Sequence, residues 1–87
     1  MHEASLMRSL MRKIDELAKN EGAGKVTTVR VWLGALSHMS PEHFREHFEQ
    51  ASKATVAEGA SLEVDESKDI NDPNAQDLLL RSIEVET

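Results

Sequence analysis

The apolar residues of this chain change their spacing from segment to segment, and that alternation restricts the fold more than any other feature. From Ala4 to Asn20 they fall at Leu6, Leu10, Ile14, Leu17 and Ala18, the three-and-four spacing of one helical stripe. Ser9, Arg12, Lys13, Asp15, Glu16 and Lys19 take the opposite side, and Gly22 and Gly24 follow as stop signals. In KVTTVRVWLG the spacing drops to two. Val29, Val31 and Leu33 alternate with Thr28, Arg30 and Trp32 in a run rich in β-branched residues, which predicts a strand with one buried face, ended by Gly34.

The helical spacing then returns in SPEHFREHFEQASK. Ser40 is a good N-cap, Pro41 suits the first helical position, Glu42 complements the helix dipole, and Phe44, Phe48 and Ala51 mark the buried stripe. SLEVDE predicts a short strand with Leu62 and Val64 inward. The polar, acidic stretch from Ser67 to Asp77, with Pro73 inside it, predicts a solvated loop that tolerates trimming around Asn71–Asn74. In the closing LLLRSIEVE, Leu78 and Leu80 share one parity while Ile83 and Val85 share the other. An uninterrupted strand would place those pairs on opposite faces; a bulge near Arg81–Ser82, or burial of both faces, resolves the conflict. The order α-β-α-β-β predicts an α+β domain of two layers, two helices on one face of a three-stranded sheet.

Composition narrows the function classes. At 87 residues the chain makes a single domain, and its aromatics are Trp32, Phe44 and Phe48, so the core is aliphatic and shallow. With Lys plus Arg at 10 and Asp plus Glu at 16, the net charge is −6. That balance argues against nucleic acid and anionic membranes as partners, because phosphate binding draws its affinity from Lys and Arg. Without cysteine there is no disulfide, thiolate nucleophile or cysteine zinc site. Arg8, Arg12 and Lys13 interrupt the apolar residues near the start, and no run approaches a membrane span, so a cytoplasmic location is expected.

Several short motifs suggest chemistry. HFREH, from His43 to His47, matches the inverted zinc-peptidase pattern, with Glu46 as the base. The chain offers no compelling third ligand on a rigid element and no room for a substrate cleft, so a solvated helix face is the better reading. GAGKVT has its first glycine at the wrong spacing for a phosphate loop and Val26 where a magnesium-binding hydroxyl belongs. DINDPN places Pro73 at a calcium-ligand position and lacks the hinge glycine and final glutamate. Met7 and Met11, at helical spacing, read as core filler rather than copper ligands, and His38 as an ordinary loop residue.

Met1-His2-Glu3 differs because its chemistry is local. The α-amine of Met1, the deprotonated amide of His2 and its Nδ1 close a five- and a six-membered chelate ring on one ion. An adjacent amide or the Glu3 carboxylate can add a donor. Nitrogen-rich tetragonal sets suit Ni(II) and Cu(II), and oxygen completion to octahedral also suits Ni(II).

The opening MHEASL, the run VRVWLGALSHMSPEHFREHF, the segment TVAEGASLEV and the closing LLLRSIEVE together resemble the HypA/HybF family. These are nickel metallochaperones that serve assembly of nickel–iron hydrogenases and, in some bacteria, urease. The resemblance implies an α-β-α-β-β nickel-binding domain and assigns the metal site to Met1, His2 and Glu3. It also implies a non-enzymatic role, with Ni(II) bound transiently and passed to an accessory GTPase or a client apo-metalloenzyme. Two departures stand out. The family carries a zinc domain with paired Cys-x-x-Cys motifs between its last two strands, where residues 67–77 of this chain form only a short loop, so no zinc is expected. The sheet should survive that difference because the last two strands are expected to be neighbours. Ala54 replaces a common family glycine, so the turn after the second helix is expected to differ.

A second reading retains the scaffold but not the metal, giving a partner-binding module or a subunit of an enzyme complex. Trp32, on the strand face opposite Val31 and Leu33, is its candidate contact.

Overall fold

The computed structural model describes residues 3–22 and 24–86, with the backbone alone for Glu3 and Ala4. Its elements run α1 (Glu3–Asn20), β1 (Lys25–Leu33), α2 (Pro41–Ala51), β2 (Ser61–Glu66) and β3 (Leu78–Glu86). This is the predicted α+β order, with both helices over one face of a three-stranded sheet.

α1 buries Met7, Leu10, Ile14 and Ala18, each one turn beyond the last. The spacing places Leu17 in that stripe, but it is 42% exposed. The buried arc is centred on Leu10 and Ile14, takes in Met7, and leaves Leu17 past its margin. The helix closes where Gly22, at φ +67°, donates its N–H to the Lys19 carbonyl at 3.0 Å. α2 starts as its sequence requires: the Ser40 hydroxyl accepts from the His43 N–H at 3.1 Å, with Pro41 in the first turn. Phe44 and Phe48 pack into the core with ring centroids 6.3 Å apart.

β1 is the central strand, in the order β2-β1-β3. It pairs parallel with β2 and antiparallel with β3. The last two strands are therefore not neighbours, contrary to the expectation from sequence. A parallel β1–β2 pair needs a crossover, and α2 supplies it, leaving β1's other edge for β3. Glu66 at the end of β2 and Leu78 at the start of β3 both pair with Leu33. The connecting segment thus bridges two strand spacings, about 10 Å, at one end of the sheet.

The parity conflict in β3 is resolved by a bulge. Arg30 pairs with Ser82 and Val31 with Leu80, so Arg81 is the extra residue. Leu78, Leu80, Ile83 and Val85 consequently all face the core. A second shift, between Val26 and Thr28, inserts Thr27 and lets Val26 and Val29 be buried on one face.

Residues 67–77 are not simply solvated. Ser67 donates to the Leu33 carbonyl at 2.9 Å, the Asp77 carbonyl accepts from Gly34 at 2.9 Å, and the Ala75 carbonyl accepts from Leu36 at 2.6 Å. Ala75 is buried. The segment crosses the end of β1, so its second half is part of the fold and trimming as far as Asn74 would disturb it.

Ala54, in the turn after α2, has φ +64°. A side-chain-bearing residue there costs about 1–2 kcal/mol, while glycine gives back about 0.5–1 kcal/mol through its freer unfolded chain. Ala54→Gly should therefore stabilise the protein by up to about 1 kcal/mol and raise Tm by several degrees in thermal unfolding. A lower Tm would show that the Ala54 methyl makes a contact worth more than the strain it causes.

Candidate functional site

The outer face of the sheet carries charge in pairs. Arg30 projects from β1 between the two edge strands. Its Nε donates to Glu63 at 3.2 Å, one Nη donates to Ser82 at 3.4 Å, and the other binds Glu84. The hydrogen bond to Glu84 and the nearby Glu63 carboxylate raise the Arg30 pKa, so it stays cationic throughout the folded range. Arg81, lifted out by the bulge, reaches Asp65 at 3.3 Å. These half-exposed cations are matched by carboxylates, a pattern that suits a solvated sheet face rather than a phosphate-binding one. Trp32 lies on the same face, half-buried, in a depression it shares with Asp72, Asn74, Leu79 and Arg81. Its partial cover comes from the 67–77 segment and β3.

On the helical face, Met7, Arg8 and Met11 of α1 meet His47, Gln50 and Ala51 of α2 along an open groove. Met7 is core, as its spacing predicts, and Met11 packs partly buried against it. HFREH lies on the surface of α2, with His43 exposed and His47 half-buried. Among the described residues no three His, Cys, Asp or Glu side chains assemble around a metal position. The peptidase reading of this motif therefore lacks its third ligand there. The two histidines nevertheless meet, with Nε2 atoms 2.8 Å apart and rings nearly parallel. Sequence spacing gave their shared face but not this convergence. His38 is exposed, at φ +60°, in the turn between β1 and α2.

Met1 and His2 of the predicted metal triplet lie outside the described residues, as does the Glu3 side chain. The backbone of Glu3 begins α1. The first N–H groups of a helix have no intrahelical acceptor, so an amide at this point can be recruited by a metal without breaking the helical ladder.

A family profile described as "Hydrogenase/urease nickel incorporation, metallochaperone, hypA" matches residues 1–71. The hydrogenase maturation factor HypA of Chlorobium limicola is 39% identical over 66 residues, covering 76% of this chain and 57% of that protein. HypA of Archaeoglobus fulgidus is 42% identical over 64 residues, covering 74% of this chain and 58% of that one. The chain thus spans less than two thirds of the length of these curated relatives. The solution structure of the nickel metallochaperone HypA from Helicobacter pylori superimposes with a TM-score of 0.79, covering 98% of this chain and 97% of that one at 24% identity, which shows a shared fold.

Proposed function

The chain belongs to the HypA family, and from that premise we propose that it binds Ni(II) and delivers it during maturation of a hydrogenase-type metalloenzyme. The observation that carries this reading is that the family match begins at residue 1 and so includes Met1-His2-Glu3. The chelate chemistry of that triplet supports it independently. An amine, an amide nitrogen and an imidazole Nδ1 lie on two consecutive residues and need no further folding to converge. The ion is cargo, so a site built near a chain end, with water completing its coordination, suits release as well as capture. Recipients of matching chemistry are an accessory GTPase or a client apo-metalloenzyme.

In the same proposal residues 1–87 act as one nickel-binding unit, and the 67–77 segment stands where the family carries its zinc domain. The strand ends that flank the segment support this. Both meet β1 at Leu33, so a longer insert that still spans the end of β1 would leave the paired strands together.

Calorimetric titration with Ni(II) tests the proposal on three forms: protein beginning at Met1, the same protein with an uncleaved N-terminal extension, and His2→Ala. The extension turns the amine into an amide and His2→Ala deletes the imidazole, so each should weaken Ni(II) binding about tenfold or more, the scale seen for even outer partners of metal ligands. Both should remain folded by circular dichroism, since a chain end buries little surface. Binding to the unmodified form should weaken as pH falls, because the imidazole, amine and amide must lose protons to ligate. Equal affinity in all three forms would remove the triplet from the metal site. The partner-binding reading, centred on Trp32, would then replace it.

A further inference from the structure

Both helices start at the same end of the sheet. α1 leads by a short link into the start of β1, and its Leu6 lines one crevice with Leu78, which pairs with Leu33 at the end of β1. α1 therefore runs against β1. α2 is the crossover of the parallel β1–β2 pair, so it also runs against β1 and begins near the end of that strand. Side by side and in one direction, the helices meet where Met7, Arg8 and Met11 face His47, Gln50 and Ala51. One turn nearer the shared end lie Glu3 on α1 and His43 on α2. We propose, on the basis that Met1-His2-Glu3 binds nickel, that His43 and His47 supply two further imidazole donors to the same ion.

Reach permits a shared site. The axes of packed helices lie about 8–10 Å apart, and extended chain covers about 3.3–3.6 Å per residue. Residues joined directly to the start of α1 can therefore span to the neighbouring helix. The bite of the histidine pair fits as well, with its Nε2 atoms 2.8 Å apart. Nitrogens held at about 2.1 Å from an ion and at a right angle sit about 3.0 Å apart, as neighbouring ligands do in octahedral and tetragonal sets. The backbone beneath the pair is fixed, because Ser40 caps α2 and Phe44 and Phe48 bury its inner side. Donor number points the same way. Among the described residues no third His, Cys, Asp or Glu completes a metal position with the two imidazoles. The triplet, for its part, leaves positions of a six-coordinate ion to water. Imidazoles in place of those waters anchor the ion to the body of the domain as well as to the chain end. Both rings must then present a bare Nε2, with any ring proton on Nδ1, and the ion replaces the contacts those nitrogens make without it.

Ni(II) alone, titrated calorimetrically into whole protein that begins at Met1, tests this, with circular dichroism confirming that each variant is folded. His2→Ala should weaken binding about tenfold or more, and His43→Gln combined with His47→Gln should do the same although residues 1–3 are untouched. The ring proton NMR signals of His43 and His47 should shift or broaden with the first equivalent of Ni(II) in wild type and far less in His2→Ala. That response follows the ion itself, so a merely structural effect of the substitutions would not reproduce it. If the double variant binds as tightly as wild type while His2→Ala binds weakly, the triplet holds nickel alone and this proposal fails by itself. If His2→Ala binds as tightly as wild type, the triplet is not the site and both readings fail together. Histidine signals that respond equally in wild type and His2→Ala would place a separate ion on α2, which also overturns the proposal.

Discussion

Phe44→Ala should cost about 3–5 kcal/mol in urea unfolding followed by circular dichroism, a large share of what so small a domain has to lose. Phe44 is fully buried and, with Phe48, supplies the only aromatic packing among the described core residues. A domain of 87 residues has about 4–13 kcal/mol of total stability to lose. The loss exceeds simple transfer because α2 is fixed at its start by the Ser40 cap and pinned at its end by Phe48. It cannot slide inward to fill the space, and a cavity remains. Phe44→Leu, which keeps most of the volume, should recover most of the stability and cost under about 1.5 kcal/mol. Equal, small losses for both variants would mean that α2 is only loosely docked, and the convergence of His43 and His47 would lose its support.

What the sequence revealed, and what it hid, follows from which interactions are local. The Ser40 cap, the Gly22 stop and the alternation of β1 depend on neighbours within a few residues, and each is found where the spacing places it. The Arg81 bulge was also legible, because two apolar pairs of opposite parity in one strand must be reconciled somewhere. The Thr27 bulge was not. Thr27 and Thr28 suit either face of a sheet, so nothing in their chemistry marks the slip that buries Val26. Strand order was hidden for a similar reason: β2 and β3 each have one apolar face and fit either edge of β1. The candidate metal triplet was legible because its donors lie on consecutive residues. The meeting of His43 and His47 at 2.8 Å needed coordinates, since helical spacing fixes a shared face but not the rotamers that bring two rings together.

Gly34→Ala should destabilise the protein by about 3 kcal/mol, from overpacking worth about 1–3 kcal/mol together with weakened backbone hydrogen bonds worth about 1 kcal/mol each. A methyl at Gly34 would fall well inside van der Waals contact of the Ala75 carbonyl and 2.6 Å from the Asn74 carbonyl oxygen. Both are backbone groups, so neither can swing aside as a side-chain tip would. Relief requires the 67–77 segment to move off the end of β1. That strains the bonds from Gly34 to Asp77 and from Leu36 to Ala75 that tie it down. The glycine is needed here for close approach, not for an unusual φ, and the crossing segment imposes the need. A double-mutant cycle separates the two causes. In a background where residues 69–76 are replaced by a longer Gly/Ser loop, the segment no longer runs across Gly34. Lengthening should itself cost stability through the lost Ala75 contacts, but Gly34→Ala should then add less than about 1 kcal/mol. If the substitution costs the same in both backgrounds, the penalty lies in the backbone around Gly34 itself. The segment would then be a passive bridge between β2 and β3, tolerant of trimming as its polar composition alone suggests.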